Sequence, residues 1–458
     1  MLFPKTEKFI FKKASETKLP SVSIAFIKDN QVTWSKGFGF RDIERGFPAT
    51  DKTLYCIGSV TKSFTSVAVM QLAEQGKLSI NDPIDKYFPF NIQPMGEKVL
   101  VHHLLSHTSG IPALAYAEAM IDHTTGAGGT WLPISGIDDM LTFMEDAGDW
   151  VEAKPGERWF YLNEGYAILG ALIEKVSGES YIDYVTNHIL KPLGMNRSIF
   201  KKADFDSDSD AAVPYNITDK GERLPTTYPF GSVTADGGLI SSVIDMSKYV
   251  NMYLGLGKTS DVKILEKSSV EAMQTARIKT PMENNPFGDY MYCYGLGRLP
   301  NFLGNALVGH SGSVGSATAY MGFIPDKNIG VVVLINGSGY APSQMGQYAL
   351  AEALGTDPDQ LPFVQREKAL SELAGFYQTY KGTMKVQVRK AGDFLTIVMA
   401  DRYNTNTIPL IPENLEGDKR VFYTLSAGNR LMVEFKKKNG TYEVIYERYA
   451  MRKTGDLA

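Results

Sequence analysis

Tyr55-Cys56-Ile57-Gly58-Ser59-Val60-Thr61-Lys62 carries a short strand-like run through a glycine into a serine, with a lysine three residues later. The chain continues as Ser63-Phe-Thr-Ser-Val-Ala-Val-Met-Gln-Leu-Ala-Glu-Gln and stops at Gly76. Apolar residues cover nearly every side of that stretch, which predicts a buried helix with a glycine stop. On a helix, Ser59 and Lys62 share a face, so the amine reaches the hydroxyl. A serine needs an adjacent base to become a nucleophile, and a desolvated lysine near a helix N-terminus can release its proton and serve as one. The other reading of the same residues is an N-cap serine beside a snorkelling lysine.

Spacing alone does not decide between them, because Ser-x-x-Lys also occurs at Ser15-Lys18, Ser198-Lys201 and Ser260-Lys263. Context does. Of the four, Ser59 alone follows a strand-like segment and a glycine and opens a buried helix, where an ammonium is expensive to keep.

Upstream, Ser21 to Ile27 and Val32 to Phe40 read as an antiparallel hairpin. From Val101 to about Val250 the pattern is mainly helical, broken by polar loops at Thr124 to Thr130 and Asp204 to Asp210 that could form lids. Strand texture returns at Leu307 to Ser311, Ala317 to Ile324 and Ile329 to Ile335. Strands at both ends around a helical middle predict one α/β unit (α+β) on an antiparallel sheet. After the Gly/Pro punctuation at 355–362, strands recur at short intervals, and alternation in Met384-Lys-Val-Gln-Val-Arg and Leu431-Met-Val-Glu-Phe-Lys predicts an all-β barrel of roughly eight strands. The expected division is therefore a catalytic domain over 1–358 with a helical insertion at about 80–290, a linker at 359–370, and a barrel over 371–458.

Three separated motifs carry a family resemblance. Gly58-Ser59-Val60-Thr61-Lys62 resembles the first motif of the serine β-lactamase and penicillin-binding-protein superfamily, in particular its class C-like, S12-type members. His103-Leu-Leu-Ser-His107-Thr-Ser-Gly110 is similar to a second stretch common in that group. Tyr161-Leu162-Asn163 matches the family's Tyr-x-Asn, and His310-Ser311-Gly312-Ser313 its Lys/His-Thr/Ser-Gly strand. The resemblance implies a β-lactamase/transpeptidase-like fold in which Ser59, Lys62, Tyr161 and His310 are catalytic. It implies that Asn163, Ser311, Gly312 and Ser313 bind substrate, with the Ser59 and Ser313 amides forming an oxyanion hole. His310 could support Tyr161 or meet a substrate carboxylate, and could switch charge near neutral pH. Histidine in place of lysine favours peptidase or esterase chemistry over antibiotic hydrolysis. A second Tyr-x-Asn, Tyr249-Val-Asn251, lies inside an amphipathic helix and is set aside. Ser232-Val-Thr-Ala235 echoes the first motif without its lysine, and Asp236-Gly-Gly238 after it suggests a tight loop near the site.

The following barrel looks lipocalin-like. The pairing of the two is similar to the archaeal self-compartmentalising CubicO serine peptidases, which implies octamers acting on short peptides containing D-amino acids. A carboxylesterase of the same fold, and a non-catalytic protein that uses the barrel for binding, are the alternatives.

The 458 residues are 43% hydrophobic and 21% charged with a net charge of −4, which suits a soluble globular chain and gives no electrostatic reason for a nucleic-acid or membrane partner. The segment from Ser371 onward holds 14 Lys+Arg against 10 Asp+Glu, and the rest 33 against 41. That contrast suits domain contact better than nucleic acid. Cys56 and Cys293 are too few for a disulfide framework or zinc cluster. His103 and His107 are spaced as a metal pair but lack the glutamate of zinc proteases, so neither metal nor cofactor is expected. The first residues lack the apolar core of a secretory signal and no apolar run is long enough to span a bilayer, which predicts a cytoplasmic protein.

Overall fold

Asp29 and Asn30 both adopt positive φ, 52° and 63°, the conformation of a two-residue hairpin turn matched to strand twist. Ser21–Lys28 therefore folds back on Gln31–Asp42, and on its other edge pairs with Ile329–Ile335 from Val22 opposite Ile335 to Lys28 opposite Ile329. The computed structural model describes residues 3–231 and 233–457. Among these, the main sheet has nine strands. Their order runs from Phe47–Pro48 through the hairpin, Ile329–Ile335, Thr318–Ile324, Asn305–Ser313, Gly297–Phe302 and Met291–Tyr292 to Ile278–Lys279. The N-terminal hairpin and the late strands thus share one antiparallel sheet, as expected.

Ile329–Ile335 is buried at every residue, because helices cover both faces. A Cβ on Gly330 would fall 2.5 Å from Val250 of the helix Val243–Leu254, whereas the next residue, Val331, faces Gly346 of the helix Pro342–Ala353. Successive strand residues point to opposite faces, so one helix lies on each side. Tyr249 of the discarded second Tyr-x-Asn is part of this core, its ring stacked on Phe64 at 3.7 Å.

The 80–290 segment is less uniformly helical than expected. It includes a small ribbon of Tyr215–Ile217 with Arg223–Pro225, a strand Ile240–Ser241 that pairs with Tyr55–Cys56, and Ile278–Lys279 of the main sheet. The expected loop at Asp204 begins within a helix, Lys202–Ser207.

The chain divides into two compact units after Thr356. In the second, eight strands from Gly375–Gln378 to Tyr449–Gly455 close into a barrel. Inward residues such as Val386, Val388, Leu395, Ile397, Phe422, Val433 and Phe435 form one buried cluster. The segment expected as a linker, 359–370, is not extended: Pro362–Leu373 is a helix, and its Leu370 and Leu373 belong to the barrel's core. No helix among the described residues is long and apolar enough to cross a membrane.

Candidate active site

Gly58 and Gly312 bring two backbones into direct contact. Gly58 has φ of 51°, a conformation that favours glycine, and a Cβ there would lie 2.6 Å from the Ser313 nitrogen. A Cβ on Gly312 would lie 1.9 Å from the Ile57 carbonyl oxygen and 3.0 Å from the Ser59 nitrogen. Two missing side chains therefore let the turn Gly58–Val60 press against the end of the strand Asn305–Ser313, beside the amides of Ser59 and Ser313. The helix proper, Thr61–Glu74, begins two residues after Ser59. Its Thr61 hydroxyl donates to Gly58 O at 2.7 Å and accepts from Leu239 N–H at 3.1 Å, tying the turn in place.

Lys62 is fully buried. Its Nζ lies 2.7 Å from Asn163 Oδ1, 2.7 Å from the Asp236 carbonyl oxygen and 3.2 Å from Ser59 Oγ. Burial lowers its pKa from 10.5 to about 8, against the raising influence of Asp236, Glu118 and Glu164. A neutral amine has two N–H groups and one lone pair. Asn163 Oδ1 and the Asp236 carbonyl can only accept, so they take both N–H groups and the lone pair is left for the Ser59 hydroxyl. The Asn163 amide is held in that sense from its other end, where Nδ2 donates to Glu118 Oε1 at 3.2 Å.

The Tyr161 hydroxyl lies beside Ser59, and burial pushes its pKa far above the usual phenol range, so the group stays a neutral O–H. Its ring sits 4.8 Å from Lys62 Nζ and packs on His107 with centroids 4.1 Å apart. His107 is buried and has φ of 57°. Its Nδ1 accepts from Leu162 N–H at 3.0 Å, fixing the segment between Tyr161 and Asn163. The helix Val101–Leu105 ends before His107, so the four-residue spacing from His103 does not place the pair on one helical face. His103 Nδ1 instead accepts from Leu100 N–H at 3.0 Å.

The His310 and Tyr161 rings lie 6.3 Å apart, centroid to centroid, and the His310 nitrogens bond elsewhere. Its Nδ1 lies 2.5 Å from the Ser311 carbonyl oxygen and its Nε2 2.9 Å from the Tyr292 hydroxyl. A carbonyl can only accept, so Nδ1 carries the proton and Nε2 accepts from Tyr292. Burial, with Lys62 nearby, lowers the His310 pKa to about 4, so the expected charge switch near neutral pH is absent. Both nitrogens are occupied internally, which also removes the expected contacts with Tyr161 and with a substrate carboxylate.

Three carboxylates surround this machinery. Asp236 and Glu164 are buried. Burial raises the pKa of Asp236, and that of Glu164 to about 7. Glu118 is exposed. The sequence motifs thus place Ser59, Lys62, Tyr161 and Asn163 together, with Gly312 buried against the serine turn and Ser311 and Ser313 exposed on either side of it. The Asp236-Gly-Gly238 loop is at the site, as expected, through the Asp236 carbonyl; Ser232 of the echo motif lies outside the described residues. Sequence reasoning missed Tyr292, Glu118 and the role of His107. Tyr292 and Glu118 belong to no motif and arrive through topology alone.

The β-lactamase family model matches residues 7–355, and the model of the Pab87 octamerisation domain matches 358–452. The chain is similar to the structure of the octameric penicillin-binding protein homologue from Pyrococcus abyssi, at 49% identity over 99% of this chain and 100% of that one, with a TM-score of 0.94. It is 28% identical to Protein flp of Staphylococcus aureus (strain MW2) over 80% of this chain and 68% of that protein. The D-stereospecific amidohydrolase from Streptomyces shares the fold, with a TM-score of 0.61 at 22% identity, covering 77% of this chain and 99% of that one. A Ser-x-x-Lys turn pressed on a histidine strand, followed along the chain by an octamerisation-type barrel, is accordingly the architecture of a chain that belongs to the β-lactamase family, within the β-lactamase and penicillin-binding-protein superfamily of serine hydrolases.

Proposed function

We propose that this chain is a serine hydrolase that acts through an acyl-enzyme on Ser59 and cleaves the amide bonds of short peptides, including those with D-amino acids. The observation that carries the reading is the Lys62 lone pair: two accept-only partners hold the amine so that its free electron pair faces Ser59 Oγ at 3.2 Å. At pH 7 a group with a pKa of about 8 is neutral in roughly one molecule in ten, enough for a base that then returns the proton.

In this reading Ser59 attacks the substrate carbonyl while its proton passes to Lys62, and the developing oxyanion rests against the Ser59 and Ser313 amides. Tyr161, held as a neutral phenol, donates to the departing amine and regains a proton from Lys62, the one that Lys62 took from Ser59. His310 acts from behind, ordering the strand through Ser311 and Tyr292. Water then enters along the same route to release the acyl group. The D-stereospecific amidohydrolase that shares the fold supports amide substrates with D-residues. The barrel, with its interior filled by its own side chains, favours an assembly role over the binding-protein alternative. An octamer, as in the Pyrococcus abyssi homologue, completes the proposal.

The test compares hydrolysis of D- and L-dipeptides with short acyl esters, alongside intact mass after a fluorophosphonate. Turnover of peptides with one adduct on Ser59, both lost in Ser59→Ala, supports the reading. Esters cleaved without peptides would favour the carboxylesterase. No adduct and unaltered turnover in the variant would refute it. Light scattering reads the subunit number.

A further inference from the structure

A chain that assembles with its own copies needs an outer surface on which like can meet like. In the barrel, alternation decides which side chains are outward. Leu410, Phe422 and Val433 belong to its core, so the next residue in two of those strands, Ile411 and Tyr423, and the preceding one in the third, Met432, point out. These strands are Thr405–Asn414, Lys419–Ser426 and Asn429–Lys438. The register sets the three outward side chains in one row, Ile411 opposite Tyr423 and Tyr423 opposite Met432. Leu425 lies two residues beyond Tyr423 on the same strand face. Ile411, Leu425 and Met432 are 37%, 66% and 44% exposed, where a barrel wall that met only water would be polar.

Charge decides what can cover this face. From Ser371 onward the chain holds 14 Lys+Arg against 10 Asp+Glu, a net charge of 14 − 10 = +4, so two barrels repel unless they meet where charge cancels. Elsewhere the outward positions are cationic: Lys385 and Arg389 alternate with inward Val386 and Val388, and Arg452 follows inward Met451. The charges that flank the apolar row are paired instead. Arg430 lies across the Tyr423 ring, its guanidinium 4.0 Å from the ring centre, and donates to Glu413 Oε1 at 2.8 Å. Further along the same strands, Lys419 and Lys436 both pair with Glu434. A strongly charged partner gains little from such a face. A second copy meets apolar side chains with apolar side chains and brings no unpaired like charge to the row. Tyrosine, methionine and arginine are also enriched at protein contacts.

We propose that this face, centred on Tyr423, is where the barrel of one copy packs against the same face of a second copy about a two-fold axis. The inference rests on the assembly reading above and names its contact surface. A two-fold contact is self-complementary, so both copies bury Ile411, Leu425 and Met432 at once.

The test uses the full chain and reads its mass by light scattering. Leu425→Glu combined with Met432→Glu sets acids against acids across the contact, while Arg389→Glu, on an outward position of Lys385–Ala391, changes the net charge equally and serves as the control. The paired-glutamate variant should lose at least half of the wild-type mass with its far-UV circular dichroism unchanged, and Arg389→Glu should keep the full mass. A folded paired-glutamate variant that keeps the full mass overturns the inference. Where that variant does not fold, Met432→Cys decides. Cys56 and Cys293 are buried, so the introduced thiol is the accessible one, and a short bismaleimide should link copies in pairs at Met432→Cys but not at Arg389→Cys. No pairs at Met432→Cys, or equal pairing at both positions, overturns the inference as well. A wild type that runs as a single chain removes the assembly reading and this inference together.

Discussion

The Ser59 cleft and the C-terminal barrel fill their interiors in opposite ways. The barrel follows the two-residue period of its strands: Val386, Val388, Leu395 and Ile397 point inward, while their neighbours meet solvent. The cleft buries a lysine, two carboxylates, two histidines and several tyrosines, and closes around them with glycine-mediated backbone contacts. A pattern of apolar residues is enough to specify the first kind of interior. The second depends on a few atoms satisfying one another, so its failures should appear in rate before they appear in stability.

Five substitutions sharpen or break that contrast. Leu395→Ala in the barrel should cost about 2–5 kcal/mol as a buried cavity, read as a lower unfolding midpoint for that unit, with fluorophosphonate labelling of Ser59 retained. Loss of labelling would mean that the cleft does not stand on its own packing. Gly312→Ala in the cleft drives a methyl into the Ile57 carbonyl, and should cost on the order of 10²-fold in kcat through displacement of the Ser59 and Ser313 amides, for about 1–3 kcal/mol of stability. Tyr292→Phe leaves His310 Nε2 without its donor, a loss of about 1–3 kcal/mol; kcat should fall by up to about tenfold, and ¹⁵N chemical shifts of His310 should show Nε2 stripped of its hydrogen bond while Nδ1 keeps its proton.

The smallest effect is on pH. A neutral Lys62 as base predicts that kcat/KM rises through about pH 8. Asp236 holds the Lys62 pKa up, so Asp236→Asn should move that rise to lower pH, by less than about one unit. Stability carries the matching sign. Because the folded pKa lies below the unfolded value, the cost of charging buried Lys62 is full below pH 8 and fades toward 10.5, a slope that Lys62→Met should remove.

The barrel was legible because its signal is local: alternation and the turns at Gly392, Gly428 and Gly440 lie within single hairpins. The helix Pro362–Leu373 was not, because Leu361-Pro362 reads as punctuation although proline suits the first position of a helix. In the cleft, Ser59, Lys62, Tyr161 and Asn163 were legible through motifs. The behaviour of His310 was hidden, because its charge and its partners depend on burial and on Tyr292, 18 residues away in the chain. Glu118 carried no signal at all, being an ordinary surface glutamate until the fold sets it beside Asn163.

The paired glycines, Gly58 and Gly312, bear on how such a chain can diversify. Because the turn Gly58–Val60 leans on the sheet through Gly312, the distance from Ser59 to its strand is set by that backbone contact. The helical half then supplies Tyr161, Asn163 and the rim around them. A lineage can rewrite that rim, a loop at a time, while inheriting the contact of the serine turn with its strand unaltered.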